Sequence, residues 1–453
     1  MKPHTIILLE TEGEAKSLTE GVAEAASHLY PFSILHPSFE LRCGALRLFE
    51  KTQRQFPASR LLVHTARPER EPHLASFRAR FHLESSEAVH PSEDILVLRG
   101  NILPTTSLWQ TLEDDIEQVY LAHGLEHPIL FTSHGEPFGA YLPKETLLER
   151  GETGLDEIAA FTSRVYEKSV NIEISTIQPI RYLWDALALN QQAIDDDARF
   201  FLASSNRKLH VALSAPGVFA LAPEHIRIGK GTTIAPCVVL DARKGVIVLG
   251  ENVEIQPHVS IVGPCFVGDN TVVKAGTRLY EGTTLGEYSK VGGEIKNTIF
   301  QGFGNKQHDG CLGYSFIGEW VNLGAGTDVS DLKNNYGTIR VRFSSQKADE
   351  ISTGTTSLGL LAGDHTKSAI NTSFNTGTVT GISANVFDRS PDKYVPSFSW
   401  GGLEDSPRFD LEKALELART VMARRKHQLL QEEEALLRQE FTRGAVTQGM
   451  TEK

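Results

Sequence analysis

Residues 249–291 read LGENVEIQPHVSIVGPCFVGDNTVVKAGTRLYEGTTLGEYSKV, and every sixth position is aliphatic: Leu249, Ile255, Ile261, Val267, Val273, Leu279, Leu285 and Val291. An α-helix repeats every 3.6 residues and a strand every two, so neither explains the period. Glycine follows several of these positions directly (Gly250, Gly268, Gly286, Gly292), and four residues after each aliphatic stands a small or β-branched residue: Val253, Val259, Cys265, Thr271, Thr277, Thr283, Ser289. This pattern predicts a hexapeptide parallel β-helix. Three short strands make one triangular coil of about eighteen residues, with the aliphatics pointing into the prism and the small residues placed where the sides converge.

The repeat begins earlier, at Ile228, Ile234 and Leu240, pauses for nine residues, and returns as Leu312-Gly313, Ile317-Gly318 and Leu323-Gly324. Residues 328–357 leave the hexad, and the alternating Ile339-Arg340-Val341-Arg342-Phe343 predicts a strand or arm leaving the prism, where a solenoid often keeps function. From Asp410 to Phe441, apolar Leu411, Leu415, Ala418 and Met422 among Glu and Arg predict one long amphipathic helix.

Upstream the pattern changes. Short apolar runs (Ile6 to Leu9, Leu61 to His64, Ile95 to Leu98, Pro128 to Thr132) alternate with helical stretches (Gly44 to Gln53, Leu108 to Leu121), which predicts an α/β domain. The segment 181–202 has apolar residues at helical spacing and is expected to bridge the halves. The expected division is an α/β domain over 1–190, a helical linker over 191–215, a β-helix over 216–400 and a C-terminal helix over 401–453.

The chain has 453 residues, a formal net charge of −12 and a pI near 5.8. That balance argues against nucleic acid or an anionic membrane as partner, while leaving room for small anions held by a few cations. Cys43, Cys237, Cys265 and Cys311 show no CxxC spacing, and the run Thr5 to Leu9 is too short for a signal or membrane segment, so a cytoplasmic location is expected.

Three groups could carry chemistry. The polar turn Gly304-Asn305-Lys306-Gln307-His308-Asp309-Gly310 interrupts the repeat, and His308 is a candidate base; the alternative is a solvated loop histidine. Arg278 and Lys296 stand eighteen positions apart, one coil of a regular prism, so they are expected to stack as a clamp for an anion such as phosphate; the alternative is two surface charges. A zinc site through His258, His308 and His365 is poorly supported by separations of 50 and 57 residues, and no metal site is assigned. The segment after the first run, Glu10-Thr11-Glu12-Gly13-Glu14, lacks a glycine-rich phosphate loop.

Taken together, Gly276-Thr277-Arg278-Leu279, Lys296, Asn305-Lys306-Gln307-His308 and Ile317-Gly318 leading to Asn322-Leu323-Gly324-Ala325-Gly326-Thr327 resemble the bifunctional UDP-N-acetylglucosamine pyrophosphorylase/glucosamine-1-phosphate N-acetyltransferase family. Within it the chain resembles a divergent branch of sugar nucleotidyltransferases, through Pro37, Leu41-Arg42 with Gly44, Gly100-Asn101 with Pro104, and Trp184-Asp185. The resemblance implies an α/β nucleotidyltransferase-like N-terminal domain, an all-β left-handed β-helix and a C-terminal helix. It implies His308 as general base, Arg278, Lys296, Asn322 and the loosely matched Asn334 and Tyr336 as substrate-binding residues, and Ala325 as a backbone contact to acetyl-CoA. It further implies a homotrimer acting on an amino-sugar phosphate or nucleotide sugar, with Mg2+ entering only if the N-terminal domain is active. Cys311 stands where the family has a substrate-contacting tyrosine, and the family's glycine-rich loop is missing. A different class of function, a non-catalytic sugar-nucleotide-binding or scaffold protein, is the competing expectation, and a zinc hydratase on the same solenoid a third.

Overall fold

The computed structural model describes residues 3–10, 28–83, 88–89, 93–124, 127–150, 153–161, 164–177, 179–201, 213, 216–344 and 350–447. The segment Thr11 to Glu14 therefore lies outside the described residues. The chain divides into two compact units: the first holds residues 1–22, 36–41 and 46–181, the second 23–35, 42–45 and 182–453.

The first unit is built on a six-stranded sheet in the order Arg60–His64, Thr5–Leu9, Ile95–Arg99, Glu136–Leu142, Ile129–Ser133, Val170–Glu173. All neighbours are parallel except Glu136–Leu142, which is antiparallel to both of its own. Strand Thr5–Leu9 is buried throughout and apolar from Ile6 to Leu9 because both sheet faces are covered. Ile6 and Leu8 join a core with Phe77, Trp109 and Ile116, while Ile7 and Leu9 join one with Leu62, Val97 and Ile158.

The second unit is the parallel β-helix. Its first face has nine strands, from Ile226–Ile228 to Tyr394–Val395, and its third has eight. The second face runs from Thr233–Ile234 to Asn305–Lys306 and continues through the single-residue bridges Asn305↔Asn322↔Lys367. The eight aliphatics of the hexad are at most 1% exposed, as are the small residues Val253, Val259, Cys265, Thr271, Thr277, Thr283 and Ser289. The glycines serve close coil stacking: a Cβ on Gly268 would lie 2.7 Å from the backbone nitrogen of Glu287 in the coil above.

The outward column of the first face is apolar as well, except at Arg227, Thr284 and Tyr394. Val248, Phe266, Ile299, Phe316, Leu361 and Val379 are all buried. Helix Leu183–Asp197 packs on this face, with the Asn190 amide donating to Gly282 O and Thr284 Oγ1 (2.8 and 3.0 Å). The helical segment expected as a bridge thus packs on the outer side of this face within the second unit, where it covers a stripe of hydrophobic surface.

Segment 42–45 is sewn into the same unit, which gives the Leu41-Arg42 and Gly44 signature a structural meaning. The buried Arg42 donates to Gln301 O (3.0 Å) and Ala45 O (2.7 Å) and pairs with Glu287. Gly44 has φ +84° and donates to Asn190 Oδ1, and a Cβ there would lie 2.5 Å from Asp197, so this position stays outside the helix expected to start at it. That helix begins at Leu48. Trp184 stacks on Tyr182 at 4.2 Å, and Asp185 accepts from the Tyr182 N–H (2.9 Å) to cap the helix start.

The excursion after Asp328–Val329 is an antiparallel pair, Arg340–Val341 with Ile351–Ser352, as the alternation predicts. The C-terminal helix is corrected to two, Leu411–Ala423 and Gln431–Thr447. The break falls at Lys426, with φ +62°, and the helices run side by side through the Arg419–Glu434 and Arg438–Glu412 pairs.

Candidate functional site

At the first and second corners the coils turn through residues of positive φ, and these two corner columns differ in chemistry. At the first corner, between first and second faces, stand Asn252, Asn270, Tyr288, Phe303, Trp320 and His365. The last four form a ladder, with Tyr288–Phe303 rings at 5.3 Å, Phe303–Trp320 at 4.1 Å and Trp320–His365 at 6.3 Å, each nearly parallel. Met422 of the first C-terminal helix and the His427 ring, from the segment joining the two helices, pack on it. At the second corner, between second and third faces, stand His258, Gly276, Gly293, the turn 307–310, Gly326 and Asn371.

His308 is exposed on that turn. The coil below supplies a floor at Gly292 and Gly293. A Cβ on Gly293, whose φ is +80°, would lie 2.5 Å from Gly310 O and 3.2 Å from His308 O. The coil above is joined by Gly326 N–H donating to Asp309 O (3.0 Å), which places Ala325 one coil beyond His308 at the same corner. Asn322 lies on the adjoining second face, where its side chain accepts from the Asn305 amide. The structure therefore brings His308, Ala325 and Asn322 to neighbouring rungs of one seam.

Arg278 and Lys296 lie on the third face, and here the expectation is corrected: they do not stack. The coil between them is shortened, so Arg278 pairs in register with Glu294 and Lys296 with Gly313. Arg278 is salt-bridged to Glu294 at 3.0 Å, and the Lys296 ammonium stands 5.9 Å from the Tyr314 ring centroid. Cys311 follows Glu294 in the same outward column, and its N–H donates to Asp328 Oδ1 (2.7 Å). Burial and the carboxylates of Glu294, Asp331 and Asp328 push its thiol above the ordinary range, so it is not poised as a nucleophile.

Asn334 and Tyr336 are exposed on the excursion, off the coil stack, in a turn closed by Tyr336 N–H to Lys333 O. The three-histidine zinc reading fails on geometry, because His365 is buried in the first corner's ladder while His258 and His308 belong to the second. Two residues were missed. Glu294 gave no signal. Lys306 did: it stands six residues from both Phe300 and Leu312, in the slot the hexad reserves for an aliphatic.

In the first unit, the end of strand Thr5–Leu9 is occupied by Glu10. It is 4% exposed, accepts from Ser38 N (2.6 Å), and pairs with Arg70 (3.3 Å). Open α/β sheets bind ligands beyond such strand ends, and here a carboxylate committed to protein donors fills the position.

The molecule is thus an α/β unit and a hexapeptide-repeat β-helix with a polar seam at one corner. Residues 22–206 match the family described as sugar nucleotidyl transferase. It is similar to the bifunctional protein GlmU of Thermotoga petrophila, 36% identical over 121 residues, covering 22% of this chain and 26% of that protein. It is also similar to a bifunctional sugar-1-phosphate nucleotidylyltransferase/acetyltransferase of Sulfurisphaera tokodaii, 30% identical over 146 residues, covering 32% and 36%. A GlmU protein of Azoarcus sp. is 32% identical over 108 residues, 22% of each chain. The chain spans between 22% and 36% of the length of these relatives. No helix among the described residues is long and apolar enough to cross a membrane.

Proposed function

We propose that the β-helix is an acetyl-CoA-dependent N-acetyltransferase acting on an amino-sugar 1-phosphate. The observation that carries this reading is the exposed His308 on a turn stacked between Gly293 below and Ala325 above. In the proposed reaction His308 removes a proton from the sugar amino group and the nitrogen attacks the thioester carbonyl. Backbone N–H donors stabilise the oxyanion, and coenzyme A leaves as the thiol. Lys296 supplies a cation for the phosphate, Asn322 contacts the sugar, and Asn334 and Tyr336 serve the site only if the excursion or a neighbouring subunit brings them to it. A homotrimer with sites at the seams is part of the same proposal, as is a cytoplasmic location.

Nucleotidyl transfer by the N-terminal domain is a secondary part of the proposal: Glu10, at the end of its strand, is committed to Ser38 and Arg70, and no step is assigned to Mg2+. Cys311, standing where the family has a substrate-contacting tyrosine, favours a second reading in which the protein binds a sugar nucleotide without turning it over.

The test is release of free thiol from acetyl-CoA and glucosamine 1-phosphate. Turnover is expected, and His308→Ala should lower kcat by ~10²–10⁴-fold. Binding of nucleotide sugars without turnover of any amino-sugar phosphate would decide for the second reading.

A further inference from the structure

Lys306 pairs with Val291, an inward residue of the coil below, and the next coil places Leu323 over it. Its side chain therefore points into the prism, where every neighbouring slot holds an apolar group, and it is 1% exposed. Burying an ammonium among aliphatics is costly unless acceptors meet it, and a leucine would fill the slot without that cost. The acceptors it has belong to the turn: Nζ donates to His308 O at 2.9 Å and to Asp309 O at 3.3 Å. Gly310, with φ +125°, leaves room for this approach, since a Cβ there would lie 3.1 Å from Nζ and 2.2 Å from Thr327 O. Burial lowers the Lys306 pKa, against the opposing pull of Asp328 and Asp309.

We infer that Lys306 is a positioning residue for His308: its ammonium reaches out of the solenoid core and ties down the two carbonyls of the turn that carries the imidazole. The turn is then fixed on three sides, by the glycine floor, by Gly326 above and by Lys306 from within. A side chain held this way samples few orientations, which is what a base acting on a bound amine requires.

The inference rests on His308 being the base, and its test separates the two. In the full-length protein, Lys306→Met fills the slot and removes the donors. Hydrogen exchange of the peptide spanning 307–311 should quicken about tenfold or more while that of 264–286 stays unchanged. In acetyl transfer kcat should fall by ~10²-fold with KM within about threefold, and in Lys306→Ala added propylammonium should restore part of kcat. If Lys306→Met does not fold, Lys306→Ala with and without propylammonium carries the same comparison. Unchanged exchange at 307–311, or a wild-type kcat in a folded variant, overturns the inference. Full activity in His308→Ala would instead sink the reading of the base, and the exchange measurement would still decide whether Lys306 holds the turn.

Discussion

The first and second corners of the β-helix share one backbone geometry and have opposite fates. Both turn through a positive-φ residue in each coil. At the first, the column becomes Tyr288, Phe303, Trp320 and His365, and the C-terminal helices close over it with Met422, His427 and an Arg425 bond to Tyr288 O. At the second, the column is His258, glycines, a polar turn and Asn371, with His308 left exposed. The repeat supplies the turn, and side-chain chemistry decides whether it is sealed or open. A planar ring at a corner stacks on the ring one rung away and offers an apolar strip to a helix. A glycine offers only room.

Three substitutions test that contrast. The largest effect is expected for Trp320→Ala, which removes the middle of the sealed ladder and should cost ~3–5 kcal/mol, read as a lowered thermal midpoint; acetyl transfer by the folded fraction should be unchanged, and a kcat loss matching that of His308→Ala would mean that the corners are not independent. Next comes Lys367, half-buried beside the ladder, donating to His365 O at 2.6 Å and pushed down to about 8 by burial. Because its folded pKa lies below the unfolded value of 10.5, the unfolded chain binds more protons between pH 8 and 10.5, so stability should rise with pH across that window. The rise is on the order of 1 kcal/mol after solvent screening, and it should vanish in Lys367→Met when midpoints are compared from pH 7 to 11. The smallest effect is expected for Glu294→Gln on the open side. Releasing Arg278 from an exposed pair should lower the KM for the sugar phosphate by about two- to fivefold; a raised KM would show that the pair itself shapes the pocket.

How much was legible beforehand follows the same division. The buried aliphatics from Leu249 to Val291, the excursion at Arg340–Val341 and the alternating strands of the α/β unit all follow from spacing, since a period fixes which way a side chain points. The stacking of Arg278 on Lys296 did not survive, because one shortened coil moves the partner from residue 296 to 294. The C-terminal helix divided in two because its break depends on packing against Tyr288, Phe303 and Trp320, more than a hundred residues away. The roles of Arg42, Gly44 and Asn190 were closed to spacing for the same reason: their partners at Glu287, Gln301 and Gly282 lie far along the chain.

By itself the sequence determined the prism, its interior and the polar interruption at 304–310, because each coil buries the same positions as its neighbours and a periodic core is written locally. Only the tertiary structure decided that Lys306 turns inward to hold the His308 turn, that Glu294 intervenes beside Arg278, and that a helix covers the first face. Those depend on the exact length of a coil and on which distant surface is left apolar, and a shift of one or two residues in register changes every cross-coil partner without altering the repeat.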